Sequence, residues 1–89
     1  MFYTQQNAAL VVNAEEYYRK MYHADDRTWN LRDKHMADCV SNIFEFHKSK
    51  FKFERKERAV LWAHNSHLGD ARFTDAGRYR GEWNVGQLM

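Results

Sequence analysis

The sequence predicts an α/β fold. Two amphipathic helices are followed by a strand buried on both faces and then by a loop rich in glycine, aspartate and histidine, and together these read as a fragment of a larger helix-flanked sheet domain. Three observations carry this prediction. Apolar residues recur at helical spacing over residues 8–22 and again over about 29–47. Ala59-Val60-Leu61-Trp62-Ala63 is short and apolar on both faces, as in a parallel strand covered by helices. After it the texture changes, and all 4 glycines fall between residues 69 and 86.

In the first helix Val11, Ala14, Tyr17/Tyr18 and Met21/Tyr22 form the apolar stripe, Glu15, Glu16, Arg19 and Lys20 the polar face, and Asn7 is the expected N-cap. His23–Thr28 reads as a polar turn. In the second helix Trp29, Arg32, Met36, Cys39/Val40 and Ile43/Phe44 share a stripe. Thr28 or Asn30 is placed to cap it, and Asp33 sits in the first turn, where the macrodipole favours a carboxylate. No proline interrupts either helix. Phe51-Lys52-Phe53 is the one further strand-like stretch, so the buried strand gains one paired edge at best. An unpaired buried backbone group costs about 1–3 kcal/mol. The chain therefore either self-associates or belongs to a larger domain, and the second is expected because Asn84–Met89 reads as the opening of another helix.

The 89 residues are 44% hydrophobic and 29% charged, which excludes a disordered or collagen-like chain. No apolar run approaches the roughly 18 residues of a membrane span, and no secretory leader is visible, so a cytoplasmic protein with no membrane partner is expected. The single cysteine, Cys39, forms no internal disulfide and on its helical stripe reads as core packing. Residues 48–58 hold six cations against Glu54 and Glu57, a net of +4 in a chain of net +2. With Phe51 and Phe53 interleaved, this is the pattern of an anion or nucleic-acid patch. The two glutamates dilute it, and a solvated connector is preferred; nucleic-acid binding is not expected.

The densest chemistry is His64-Asn65-Ser66-His67-Leu68-Gly69-Asp70, directly after the expected strand, where ligands of open α/β sheets bind. Imidazole is the usual acid/base near neutral pH. His64 and His67 are the candidate catalytic pair, Asp70 is placed to orient one ring, and Asn65 or Ser66 to donate to an oxyanion. The competing reading is two loop histidines that cap a strand end. As metal ligands His64 and His67 are weak candidates: with Asp70 they lack a further close ligand, so no cofactor is predicted, while a divalent metal stays open. Ser66 lacks the G-x-S-x-G elbow of serine hydrolases. Arg32 and Asp33 read either as a local ion pair or as supporting residues of a buried polar site.

Trp62-Ala63-His64-Asn65-Ser66-His67-Leu68-Gly69-Asp70-Ala71-Arg72 and Gly81-Glu82-Trp83-Asn84-Val85-Gly86-Gln87-Leu88 resemble the erythromycin esterase family, as do Trp29–Ala37 and Asn13–Arg19. The resemblance implies a partial domain over residues 1–89 of a helix-flanked sheet enzyme. It implies hydrolysis of carboxylic esters, including macrolide lactones in antibiotic resistance, by histidine-activated water without a covalent serine. His64 and His67 match the family's active-site pair, and Asn65, Asp70, Arg32 and Asp33 match family-typical positions. A glutamate–histidine motif that the family places N-terminal to this region is not in the sequence, so the isolated chain is expected to be inactive, and a small-molecule ester is expected as partner of the full-length parent. The alternative is a small non-catalytic binding protein that uses residues 48–58 for an anion or nucleic acid, or His64 and His67 for a metal.

Overall fold

The computed structural model describes residues 1–23, 28–51 and 56–89. Helix α1 spans Phe2–Tyr22 and α2 spans Thr28–Lys50. Short elements follow: α3 (Asn65–Leu68), a 3₁₀ turn (Ala71–Phe73), α4 (Asp75–Arg80) and α5 (Val85–Leu88).

Helices α1 and α2 form an antiparallel pair. Phe2 stacks on Phe46 with ring centroids 4.1 Å apart, Asn42 Nδ2 donates to Gln6 Oε1 at 3.4 Å, and Asn13 meets His35 at 2.7 Å. Successive residues of α1 thus meet earlier residues of α2. Both helices start earlier or end later than the apolar periodicity suggests. Asn7 lies inside α1, whose N-cap is Met1 with no side-chain capping bond. The predicted stripe of α1 is largely exposed: Val11 is 67% and Tyr18 62% accessible, and no residue of the helix is buried.

The predicted α/β fold is not found: the described residues are helices, turns and irregular segments, with no strand among them. Ala59–Ala63 carries no regular secondary structure, and Val60 and Trp62 are 95% and 97% exposed. A strand needs a partner edge for its backbone groups, and the helices beside this segment satisfy their own. Phe51 cannot supply that edge either, because its N–H donates to His47 O at 2.9 Å and continues the bonding of α2. Residues 52–55, the rest of the expected partner stretch, and residues 24–27 of the expected turn lie outside the described residues.

The region expected to be one long loop is a chain of capped turns. His64, Asp70, Thr74 and Asn84 each accept a backbone N–H at the start of an element. Gly81, at φ +66°, ends α4, and the Glu82 N–H bonds back to Ala76 O at 3.3 Å. Gly86 lets α5 touch α3: a Cβ there would lie 2.1 Å from Leu68 O and 2.4 Å from Gly69 O.

The molecule is only 16 Å across its thinnest dimension, too little for a third layer on a helix pair whose members are about 10–12 Å wide. Among the described residues the buried set is correspondingly small, comprising Ala37, Ala71 and Val85 with the polar Asn30, Asp33 and Asn84. Asn30, Asp33, Asn84 and Val85 lie where the N-terminal part of α2 meets the start of α5, and that junction positions the histidine segment.

Candidate active site

The backbone turns sharply after Ala63, and His64 becomes the N-cap of α3. Its Nδ1 accepts the Ser66 N–H at 3.2 Å and lies 2.9 Å from Ser66 Oγ. A ring nitrogen that accepts carries no proton, so in the neutral imidazole the proton is on Nε2. His64 therefore presents a donor to its surroundings.

His67, at the other end of the same turn, is held the opposite way. Its Nδ1 lies 2.9 Å from both carboxylate oxygens of Asp33. Asp33 is fully buried and the His67 side chain is 16% exposed. A carboxylate only accepts, so in the neutral imidazole Nδ1 carries the proton and Nε2 keeps its lone pair. Among the described residues no hydrogen bond engages Nε2. Asp33 is itself fixed by the Val85 N–H, which donates to Oδ2 at 3.1 Å.

The ring of His67 is also held face-on. Trp29 stacks on it with centroids 4.7 Å apart and planes within 4°. Trp29 and Asp33 are four residues apart, so one face of α2 supplies both the stacking surface and the carboxylate. Trp29 Nε1 donates to Trp83 O at 2.8 Å, and the Arg32 guanidinium lies 5.0 Å from the Trp29 ring centroid. Asn30 then ties α2 to the chain after α4. Its Nδ2 donates to Gly81 O at 2.9 Å, while its Oδ1 and backbone O accept from Trp83 N at 2.9 Å and Trp83 Nε1 at 3.0 Å. Asn84 Nδ2 donates to Ser66 O at 3.0 Å and secures α3 to α5.

The sequence candidates are thus divided. His67 and Asp33 come together. His64 shares the turn but points its hydrogen bonds at Ser66. Asp70, expected to orient an imidazole, instead binds Arg72, with Nη2 2.6 Å from Oδ2. The hydrogen bonds from Arg72 hold the Asp70 carboxyl below the usual carboxylate range. The orienting carboxylate is Asp33, which lies beyond the first turn of α2 and does not pair with Arg32. Asn30, a candidate cap by sequence, bridges to Gly81 and Trp83. The contributions of Trp29 and of the Val85 N–H were not anticipated. The four-residue spacing of Trp29 and Asp33 was a usable signal for the first; nothing in the sequence points to a backbone donor 52 residues away from Asp33.

Asn65 and Ser66 line a cleft of about 480 Å³ floored by Trp29 and Trp83, with Arg80 and Glu82 at its side. A larger cavity of about 560 Å³ lies between α1, α2 and Gly81. Neither cavity is lined by His67 or Asp33. Among the described residues, no three His, Cys, Asp or Glu side chains form a set able to hold a metal ion. Of the basic stretch, Lys48 bonds Glu45 at 2.8 Å and Lys50 sits over the rings of Phe46 and Phe51; Lys52, Phe53, Glu54 and Arg55 lie outside the described residues. No described helix is long and apolar enough to cross a membrane.

In comparison with known proteins, a family model described as erythromycin esterase matches residues 1–89, the whole chain. No solved structure matches it.

Proposed function

Because the chain belongs to the erythromycin esterase family, we propose that residues 1–89 carry the histidine half of an ester-hydrolysing site, and that its substrates are small-molecule carboxylic esters of the macrolide lactone class. The observation that carries this reading is the Asp33–His67 pair. Asp33 fixes the ring so that Nε2 is left to take a proton from an attacking water, which is the base–orienter relation of hydrolytic sites. His64, with its Nδ1 engaged by Ser66, offers Nε2–H as a donor to the carbonyl oxygen as negative charge develops there. Asn65 lines the neighbouring cleft and is assigned to substrate binding. Arg32 backs the Trp29–His67 stack and is a supporting residue, and Asp70 supports the turn through Arg72.

The residues work as part of a larger catalytic unit in this reading. Val60 and Trp62, almost fully exposed, are surfaces for the rest of it, and one imidazole pair does not both activate water and bind a macrolide. Macrolide resistance and a cytoplasmic setting belong to the same proposal; a reducing compartment suits the free Cys39.

The test is macrolide ring opening, followed as the gain of one water by mass spectrometry, in a full-length family enzyme that carries these residues. His67→Ala is expected to lower turnover by about 10²–10⁴-fold, with helical content retained. Asp33→Asn should lower it less, and the 89 residues alone should give no turnover above buffer. Unchanged turnover in His67→Ala would overturn the assignment.

A further inference from the structure

Away from His67, the interface of α1 and α2 holds a second nucleophile–base arrangement. Cys39 Sγ lies 3.4 Å from His35 Nε2, one turn away on α2. His35 Nδ1 in turn lies 2.7 Å from the side-chain amide of Asn13 on α1. Thiol, imidazole and amide thus follow one another across two helices, the order of groups that activates a thiol by proton transfer once the imidazole Nε2 is free of its proton. Both His35 and Cys39 open onto a cavity of about 320 Å³ whose other walls include Met36, Val40, Leu61 and Val85. That size is at the lower end of small-molecule pockets, and its lining is almost wholly apolar.

We propose that Cys39 is a nucleophilic thiol that accepts the acyl group of an apolar ester, with His35 as its base and Asn13 as the residue that sets the tautomer of His35. The ester's acyl chain occupies the apolar cavity. Sγ attacks the carbonyl carbon and forms the S–C bond, and the thiol proton passes to His35 Nε2. Collapse of the adduct breaks the C–O bond, and the proton leaves with the alkoxide as the alcohol. The products are the Cys39 thioester and one alcohol.

The surroundings of Cys39 explain why a base is needed. Burial, with a smaller effect from the Asp38 carboxylate, pushes the thiol above its ordinary pKa, so that it rests protonated. Asn13 decides whether His35 can serve. With Nδ2 facing the ring, the amide donates to Nδ1, and Nε2 carries the ring proton. A half-turn of the amide presents Oδ1, which accepts from Nδ1–H and frees the Nε2 lone pair for the thiol. The two orientations differ only in that rotation.

The experiment exposes the 89-residue chain to p-nitrophenyl hexanoate and follows nitrophenolate release together with intact and peptide mass. One hexanoyl group on Cys39 is expected, lost in Cys39→Ser, with His35→Gln slowing acylation by about 10²-fold. Asn13→Asp, which can only accept, should speed acylation. A purely structural Asn13 predicts no gain in that variant. Circular dichroism confirms that each variant keeps its helices. Acylation confined to lysines, or a Cys39 rate unaffected by His35→Gln in a folded variant, would overturn the proposal. This assay uses no macrolide and no His67 variant, so its failure leaves the ester-hydrolase reading standing.

Discussion

Helix α1 runs for 21 residues and buries none of them, whereas the short elements between residues 65 and 88 bury Ala71, Asn84 and Val85. The long helix has the stronger local signal, since its backbone bonds are satisfied within the helix itself. The short elements have fewer than seven residues each and could not persist alone. They are held by caps and by side chains that reach backbone groups far away in sequence, through Asn30, Asp33 and Asn84. Burial is therefore concentrated in α2 and the short elements, whereas α1 is regular without it. The candidate site lies where tertiary order is greatest.

Asp33 offers the largest effect with which to break this contrast. It accepts from Val85 N–H and from His67 Nδ1–H while fully buried. Asp33→Ala leaves the Val85 donor unpaired and α5 without its anchor, and should cost about 3 kcal/mol, on the order of 15 °C in Tm for a chain of this size. Asp33→Asn keeps an oxygen for Val85 and should cost less than half as much. Thermal unfolding followed by circular dichroism reads both. An Asp33→Ala melt that overlays the parent would mean that α5 is held by something other than this carboxylate.

Legibility follows the same division. The helix pair was readable because helical periodicity is local. The strand at Ala59–Ala63 was misread because a short apolar run gives only its own preference; whether a partner edge exists is settled by the rest of the molecule. His67 and Asp33 were both singled out, yet their pairing was not. Asp70, three residues from His67, looked the better partner until Arg72, two residues further on, took it. Asp33, 34 residues from His67, is brought close only by the docking of α2 on α3 and α5, which Asn30 and Gly86 make possible.

Gly86 sharpens the comparison at intermediate size. The atoms a Cβ would meet are the backbone carbonyls of Leu68 and Gly69, and these cannot turn aside as a side chain would. Gly86→Ala should separate α5 from α3 and cost about 1–3 kcal/mol. Val12→Ser, on the face of α1 where Val12 is 65% exposed, should stay within about 0.5 kcal/mol of the parent. Denaturant midpoints at constant m-value measure the pair. The contrast between the two regions fails if Val12→Ser proves the more costly of the two.

The smallest effect is electrostatic and should be shared by both regions. Hydrogen bonds from Arg72 lower the Asp70 pKa, and on α1 the hydrogen bond from Lys20 lowers that of Glu16. A carboxyl held below its unfolded value adds stability that is complete above the unfolded pKa and is lost as pH falls through the folded one. Both groups therefore weaken the fold on the acid side, below about pH 5, and neither affects the slope near neutrality. Because the pairs are solvent-exposed, each contributes little, and salt screens what there is. Asp70→Asn still offers an oxygen to the Arg72 N–H that caps the 3₁₀ turn, so it removes the charge while keeping the cap. It should flatten the acid limb of a stability-versus-pH curve slightly, and Glu16→Gln should do so to a similar degree. A change at pH 7 larger than the change in the acid limb would show that Asp70 acts through the turn and not through its charge.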